Sequence, residues 1–217
     1  MPELIGWDDD GVYPFLILED LSWASWPPPW TTAGIDAVLA ATSELAALPA
    51  PAWLPSWKET EDEFRKWRVI AEEPSGFAAS SLMSPQWLDQ ALPALVAAEA
   101  VLDVCGDAVV HADIRSDDVW LTPLAKLVDW NWTRRGDPEL DVAAWLPSLY
   151  LEGGPAPWDI RPHSTPSVVA ALAGYFCYYA NLPPSPYVAP EVRDLQRDQA
   201  AVCLDWLAQL GVVPARG

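Results

Sequence analysis

Three short apolar runs in the middle of the chain constrain its fold more than any other feature. They occupy residues 108–110, 119–121 and 126–128, and polar turns rich in aspartate separate them. The segments on either side read as helices, so strand and helix do not alternate as they would in a doubly wound parallel sheet. We therefore predict an α+β fold, mainly helical, with short β-hairpins set into it.

Helical spacing of apolar residues predicts the remaining architecture. Ser84-Pro85 and Asp137-Pro138 each place a capping residue before a proline, the usual order at a helix start. Near the N-terminus, residues 3–7 and 12–18 predict two strands joined by the turn Asp8-Asp9-Asp10-Gly11. Helices are expected near residues 35–48, 58–73, 84–104, 137–149, 167–181 and 189–210.

The charge of the chain excludes one class of partner. Its 217 residues include 12 Lys and Arg against 31 Asp and Glu, a net charge of -19. A nucleic acid needs basic side chains for its phosphates, so it is not an expected partner. An acidic surface favours amines and divalent metals, or serves solubility alone. Without a signal peptide or an apolar run of membrane-spanning length, we expect a cytoplasmic protein that does not bind membranes.

Aspartates with the chemistry of a metal site cluster around the short β runs. Asp113 and Asp118 lie in the segment between the first two runs, and Asp129 directly follows the third. Mg²⁺ prefers one or two carboxylates together with water and phosphate oxygens. The sequence therefore predicts that the three carboxylates converge on a shared divalent cation.

Three motifs in this region resemble those of the aminoglycoside phosphotransferases, a family with a protein-kinase-like fold. They are His111-x-Asp113-x-x-x-x-Asp118, Val128-Asp129-Trp130 and Gly136-Asp137-Pro138-x-x-Asp141. The kinase catalytic loop has the same skeleton, an Asp base and an Asn metal ligand five positions later. Residues 15–21 are similar to the family's hinge. The resemblance implies that residues 22–217 form the helical C-terminal lobe and residues 1–21 a remnant of the N-terminal lobe.

The resemblance also implies roles for the residues that carry chemistry. Asp113 would orient or deprotonate an acceptor hydroxyl, and Asp118 and Asp129 would bind the Mg²⁺ that bridges the phosphates of ATP. Arg115 would neutralise charge on the transferred phosphoryl group. The competing interpretation of Arg115 is a simple ion pair with Asp117.

Four further residues would support this chemistry. His111 would brace the catalytic loop, and Asp141 would accept hydrogen bonds from the loop backbone. Glu19 and Leu21 would offer backbone groups to the adenine ring. Trp23, Trp26 and Trp30 either line an entrance to the site or pack into the core, and packing is the favoured interpretation.

Two departures from the family bear on activity. Asp118 stands where the family has Asn, which adds a negative charge and should make the site more dependent on metal. No Lys or Arg precedes Leu21, so the phosphate-clamping Lys of a kinase N-terminal lobe has no counterpart there. A late start codon, a decayed gene or a partner that supplies the missing lobe would each explain this.

The expected function is transfer of the γ-phosphoryl group of ATP to a hydroxyl of a small molecule, with an amine-bearing acceptor favoured by the acidic charge. For the chain as given, we expect weak nucleotide binding and little or no turnover. A ligand-binding remnant without turnover is the alternative, and a carboxylate-metal hydrolase is a third class. Exposure of the hinge hairpin should favour self-association.

Overall fold

The structure is a computed structural model that describes residues 1–78 and 82–216. Its strands are β1 (Leu4–Asp8), β2 (Phe15–Leu18), β3 (Ala108–Val110), β4 (Val119–Leu121), β5 (Ala125–Leu127) and β6 (Arg134–Gly136). Its α-helices are α1 (Thr32–Ala46), α2 (Lys66–Glu72), α3 (Ser75–Ala78), α4 (Pro85–Ala100), α5 (Glu139–Leu151), α6 (Pro157–Ile160), α7 (Pro166–Ala180) and α8 (Pro190–Gln209). Two 3₁₀ helices span Trp57–Phe64 and Ser116–Asp118.

The strands of the described residues form three separate antiparallel pairs, β1–β2, β3–β6 and β4–β5. In the β3–β6 pair, Val110 lies opposite Arg134 and Ala108 opposite Gly136. Strand β6 has the polar sequence Arg-Arg-Gly and was not predicted, because its pairing with β3, and not an apolar pattern, makes it a strand. The mixed helical and β architecture predicted from the sequence is confirmed.

Helix α7 lies at the centre of the helical core. It packs along α8 and also contacts α2, α4 and α5. Trp67 of α2 is fully buried and donates its indole N–H to the Ala170 carbonyl of α7 at 2.7 Å. A Cβ on Gly174 would come within 2.8 Å of Trp67 Cδ1, so the close contact of α2 with α7 requires glycine there. No helix among the described residues has both the length and the apolar character to cross a bilayer.

The helix predicted for residues 58–73 is broken at Arg65. The backbone of Arg65 (φ -101°, ψ 54°) separates the 3₁₀ helix from α2. Its guanidinium donates to the carbonyl oxygens of Glu99 at 3.1 Å and Leu102 at 3.3 Å, at the end of α4, and pairs with Glu61. These tertiary hydrogen bonds outweigh the local preference for an unbroken helix.

Glu99 of α4 caps the N-terminus of α2. Its carboxylate accepts hydrogen bonds from the backbone N–H groups of Trp67 at 2.8 Å and Arg68 at 3.1 Å. The residue that precedes α2 makes no side-chain cap, so Glu99 satisfies amides that would otherwise be buried without a partner. The cap comes from another helix and has no local sequence signal.

Replacing Glu99 should therefore destabilise the helical core. We expect Glu99→Ala to lower the free energy of unfolding by about 2 kcal/mol, because two buried amides lose their acceptor. Urea denaturation followed by circular dichroism measures this. Glu72→Ala, at an exposed position of α2, the helix that Glu99 caps, is the matched control and should change stability by less than about 0.5 kcal/mol. Equal effects of the two substitutions would contradict the capping role.

Candidate active site

The loop that follows β3 is held from behind by Asp141. The Asp141 side chain is buried at the start of α5 and accepts hydrogen bonds from His111 N at 2.9 Å and Ala112 N at 2.7 Å. Ala112 has a left-handed backbone (φ 70°), a strained conformation for a residue with a side chain. The two hydrogen bonds stabilise this turn, which directs the next residue, Asp113, away from β3. Burial raises the pKa of Asp141 to about 6, against the opposing effect of the two amides.

His111 connects this loop to the loop after β5. Its Nε2 lies 2.8 Å from the Val128 carbonyl, and its Nδ1 lies 3.4 Å from the Asp113 backbone N. Both contacts fit the tautomer with the proton on Nε2, which donates to Val128 while Nδ1 accepts. The ring is fully buried and packs edge-on against Trp130. Burial lowers the pKa of His111, so the ring is neutral and structural.

Asp113 and Arg115 lie together in the loop. Asp113 Oδ1 is 3.8 Å from Arg115 Nε, and burial raises the pKa of Asp113 while Arg115 opposes that shift. The Arg115 guanidinium also makes two hydrogen bonds to Asp117, at 3.1 and 3.0 Å, and lies 3.7 Å from Asp118 Oδ2. The competing ion pair with Asp117 is therefore present, and the same guanidinium lies beside the two predicted functional carboxylates.

Asp118 is a buried carboxylate with one oxygen unsatisfied. The residue is 4% exposed, and Oδ2 has no hydrogen-bond partner among the described residues. Burial, together with the neighbouring charge of Asp117, raises the pKa of Asp118 to about 7. A buried acceptor without a hydrogen bond is costly, and the Arg115 guanidinium, 3.7 Å from this oxygen, is the cation that partly offsets its charge.

Asp129 occupies the turn after β5 with a left-handed backbone (φ 58°), which Asp tolerates better than most residues. It is exposed, and its Oδ1 accepts from the Asn131 amide. Its charge contributes to the raised pKa values of Asp113 and Asp118, so the three carboxylates are electrostatic neighbours.

The carboxylates do not form a three-ligand metal centre. Within residues 1–78 and 82–216, no three His, Cys, Asp or Glu side chains are close enough together to hold an ion. The guanidinium of Arg115 lies beside Asp113 and Asp118, where the sequence predicted a shared cation. Asp118 and Asp129 remain the predicted metal ligands, and two carboxylates suit Mg²⁺ when phosphate oxygens and water complete its shell.

A cavity of about 590 Å³ opens beside Asp113. The 3₁₀ helix Trp57–Phe64 and helices α5, α7 and α8 form its walls, and the loop residues 112–115 form one end. Many of the lining side chains are aromatic: Trp57, Phe64, Trp132, Tyr175, Phe176 and Tyr179. The volume suits a small organic molecule.

A second, shallower cavity of about 380 Å³ lies at the predicted hinge. Glu19 and Leu21 line it together with Trp120 of β4 and Val128. Glu19 pairs with Lys126 of β5, and this pairing lowers the pKa of Glu19. The structure therefore brings both predicted hinge residues to the edge of the β4–β5 hairpin that carries Asp129.

Comparison with known proteins shows which fold this is. Neither a protein-family profile nor a curated protein matches the sequence. Among solved structures, the chain is similar to a thermostable mutant of the aminoglycoside phosphotransferase APH(4)-Ia, crystallised as a ternary complex with AMP-PNP and hygromycin B. The TM-score is 0.53 at 17% identity, over 96% of this chain and 76% of that one. The chain has a protein-kinase-like fold.

Several contacts that support the loop of Asp113 were not predicted from the sequence. Glu152, at the end of α5, accepts hydrogen bonds from the Ser116 hydroxyl and, at 2.7 Å, from the Trp30 indole, so it joins that loop to the Trp-rich segment. Trp26 donates to the Ser116 carbonyl and packs on Trp120. These tryptophans are structural supports of the loop, although Trp26 is half exposed. Their contacts join positions far apart in sequence, so no local pattern marks them.

The buried aspartates predict a pH dependence of stability. Because the folded-state pKa of Asp118 is raised to about 7, its contribution to stability is complete below pH about 4 and is lost as pH rises through 7. Without divalent metal, unfolding free energy should fall by about 2 kcal/mol more between pH 5 and 7.5 in the wild type than in Asp118→Asn. Urea denaturation at both pH values tests this.

Asp107→Asn, at an exposed position before β3, is the control for that measurement and should keep the wild-type slope. A slope in Asp118→Asn as steep as in the wild type would show that Asp118 ionises without cost.

Proposed function

We propose that the chain is a phosphotransferase that moves the γ-phosphoryl group of ATP to a hydroxyl of a small molecule. The arrangement of the two cavities is the observation that carries the proposal. Asp113 lines the larger cavity, while Val128, the residue before Asp129, lines the cavity at the hinge. An acceptor in the first and a nucleotide in the second would meet at the aspartates between them.

Asp113 would act on the acceptor. Its carboxylate would accept a hydrogen bond from the hydroxyl, orient the oxygen and take its proton as the bond to phosphorus forms and the bond to the leaving ADP oxygen breaks. The raised pKa of Asp113 makes it a stronger base than an exposed aspartate. Arg115 lies within 4 Å of Asp113 and would offset charge on the phosphoryl oxygens.

Asp118 and Asp129 would hold Mg²⁺, which neutralises phosphate charge when bound. Oδ2 of Asp118 makes no hydrogen bond, and Mg²⁺ would take the place beside it that the Arg115 guanidinium holds at 3.7 Å. His111 and Asp141 would keep the two aspartate-bearing loops at a fixed separation. Neither side chain would touch the reacting atoms.

The adenine ring would lie against Trp120 and the backbone of residues 19–21. The Glu19 N–H is already donated to the Glu3 carbonyl at 2.9 Å, so Glu19 would offer only its carbonyl oxygen. In this proposal, residues 1–21 form the hairpin and hinge segment, and residues 22–217 form the catalytic part. A cytoplasmic location is likewise part of it.

Removing the proposed base should separate chemistry from binding. In a titration with ATP and Mg²⁺, we expect weak, Mg²⁺-dependent quenching of tryptophan fluorescence that Trp120→Phe largely removes.

Any transfer from radiolabelled ATP to a panel of small hydroxyl compounds should drop at least about 100-fold in Asp113→Asn, with nucleotide affinity unchanged. Asp107→Asn is the matched control and should retain both.

The main alternative is a ligand-binding remnant without turnover. Its support is the Asp at position 118 and the two hydrogen bonds that hold Arg115 against Asp117. Turnover that Asp113→Asn abolishes would exclude the remnant. Phosphatase activity that is insensitive to changes at residues 19–21 would instead favour a metal hydrolase, which the absence of a three-carboxylate group within the described ranges makes the weaker candidate.

We also propose that the β1–β2 hairpin mediates self-association. Both strands expose apolar side chains, including Ile5 at 64%, Trp7 at 59% and Leu16 at 52%. Two-stranded sheets of this kind present unpaired edges that favour pairing with another copy.

Sedimentation at increasing concentration should then show a dimer that the double substitution Ile5→Lys and Leu16→Lys converts to a monomer. Val101→Lys changes an apolar side chain of similar exposure, 74%, elsewhere on the surface and should leave the dimer intact. A wild-type monomer at high concentration would contradict the proposal.

A further inference from the structure

The cavity beside Asp113 differs in charge from the rest of the chain. The protein carries a net charge of -19, yet the charged side chains that line this cavity are Glu63, Asp113, Arg115 and Arg134, two of each sign. Glu63 is engaged by the Tyr179 hydroxyl at 2.6 Å and lies 3.4 Å from Lys66. Arg115 forms ion pairs with Asp113, Asp117 and Asp118. Arg134 is the lining charge that has no such partner.

Arg134 makes no ion pair within 4 Å among the residues that the structure describes. Its guanidinium instead lies over the Trp57 ring, 5.0 Å from the centroid. An arginine stacked on an aromatic face leaves its in-plane N–H donors free, and two of them can donate to one carboxylate. The chain has 31 Asp and Glu residues, yet Arg134 forms an ion pair with none of those that the structure describes.

The surface under Arg134 is fixed by packing. Trp57 is buried against Gly136 of β6, where a Cβ would come within 2.8 Å of Trp57 Cδ1. The backbone of β6 is joined to the same segment, since Arg135 N donates to the Pro55 carbonyl at 2.8 Å. Arg134 of β6 lies opposite Val110 of β3 in the antiparallel pair. Strand β3, which leads into the loop of Asp113, therefore positions Arg134.

Two further lining groups lack hydrogen-bond partners. Trp57 Nε1 and Thr60 Oγ1 are buried and make no hydrogen bond to any described residue. Both can donate, and both lie in the 3₁₀ helix that forms one wall of the cavity. Neither atom has surface exposed to the cavity, so a ligand there meets the Arg134 guanidinium and not these two donors.

We propose that the acceptor is a hydroxyl-bearing carboxylic acid whose carboxylate is bound by Arg134. The Trp57 ring supports the guanidinium from below, and the aromatic wall covers the carbon skeleton of the ligand. This assignment rests on the proposed phosphotransfer, because it places the acceptor in the cavity of Asp113. It replaces the amine that the overall charge favours with an anion that Arg134 favours.

Three ligands that share a 4-(hydroxymethyl)phenyl skeleton and carry a negative, neutral or positive group test the assignment without requiring catalysis. They are 4-(hydroxymethyl)benzoate, the neutral 4-(hydroxymethyl)benzamide and the cationic 4-(hydroxymethyl)benzylamine, titrated into the full chain by calorimetry. The carboxylate should bind roughly tenfold or more tightly than either of the others. Arg134→Gln should remove that preference, and Arg134→Lys should restore only part of it, because lysine keeps the charge and loses the planar fork.

The neighbouring Arg135 supplies the matched control. Successive residues of a strand face opposite sides, and Arg135 does not line the cavity, so Arg135→Gln should bind the carboxylate as the wild type does. Circular dichroism of each variant confirms folding. Tighter binding of the amine, equal carboxylate binding by Arg134→Gln, or no binding of the carboxylate at millimolar concentration would each overturn the assignment.

Asp113→Asn separates this inference from the proposed function. The variant should bind the carboxylate at least as tightly as the wild type, since it loses a negative charge from the cavity. Carboxylate binding without phosphoryl transfer in the wild type would refute the function and leave the anion site standing. Transfer to an amine-bearing acceptor with no effect of Arg134→Gln would refute the anion site alone.

Discussion

The arrangement of the site depends on one buried carboxylate and the two backbone amides that it accepts. Asp141 holds the N–H groups of His111 and Ala112, and that contact fixes a turn which the backbone would not adopt unaided. An unsatisfied buried amide costs on the order of 1–3 kcal/mol, and Asp141 satisfies two. The cost of burying its own charge is visible in its pKa, raised to about 6. A loop held this way can present Asp113 with little freedom of movement.

His111 connects that turn to the rest of the site. Its neutral ring joins the loop after β3 to the carbonyl of Val128, and Val128 N in turn donates to the Asp118 carbonyl at 3.0 Å. The loop after β3 and the loop after β5 are thus joined by side-chain and backbone hydrogen bonds alike. The antiparallel pairs β3–β6 and β4–β5, each too small to be stable alone, are joined by these hydrogen bonds and rest on buried helices.

The sequence predicted what depends on spacing and missed what depends on tertiary contact. The motif order located Asp113 and Asp141, since the resemblance rests on residues close together in the chain. The β6 strand, the break at Arg65 and the cap from Glu99 escaped prediction, because each is decided by a partner dozens of residues away. The cavity beside Asp113 is the clearest case. Its walls come from several separate helices, and no local pattern around Arg134 indicates that they meet there.

The net charge of the chain favours an amine as acceptor, whereas Arg134 favours a carboxylate. The distance of each charge from the ligand decides which effect is larger. Charges on the outer surface act through water and salt, where interactions fade over about 8 Å at physiological ionic strength, so they affect mainly the rate at which a ligand arrives. Inside the cavity, a ligand exchanges water for fixed donors, and the interaction with a stacked guanidinium is far less screened. An acidic exterior would slow the approach of a carboxylate, whereas Arg134, stacked on Trp57, would determine how long it stays. The affinity of the site therefore follows from the few groups that face the ligand.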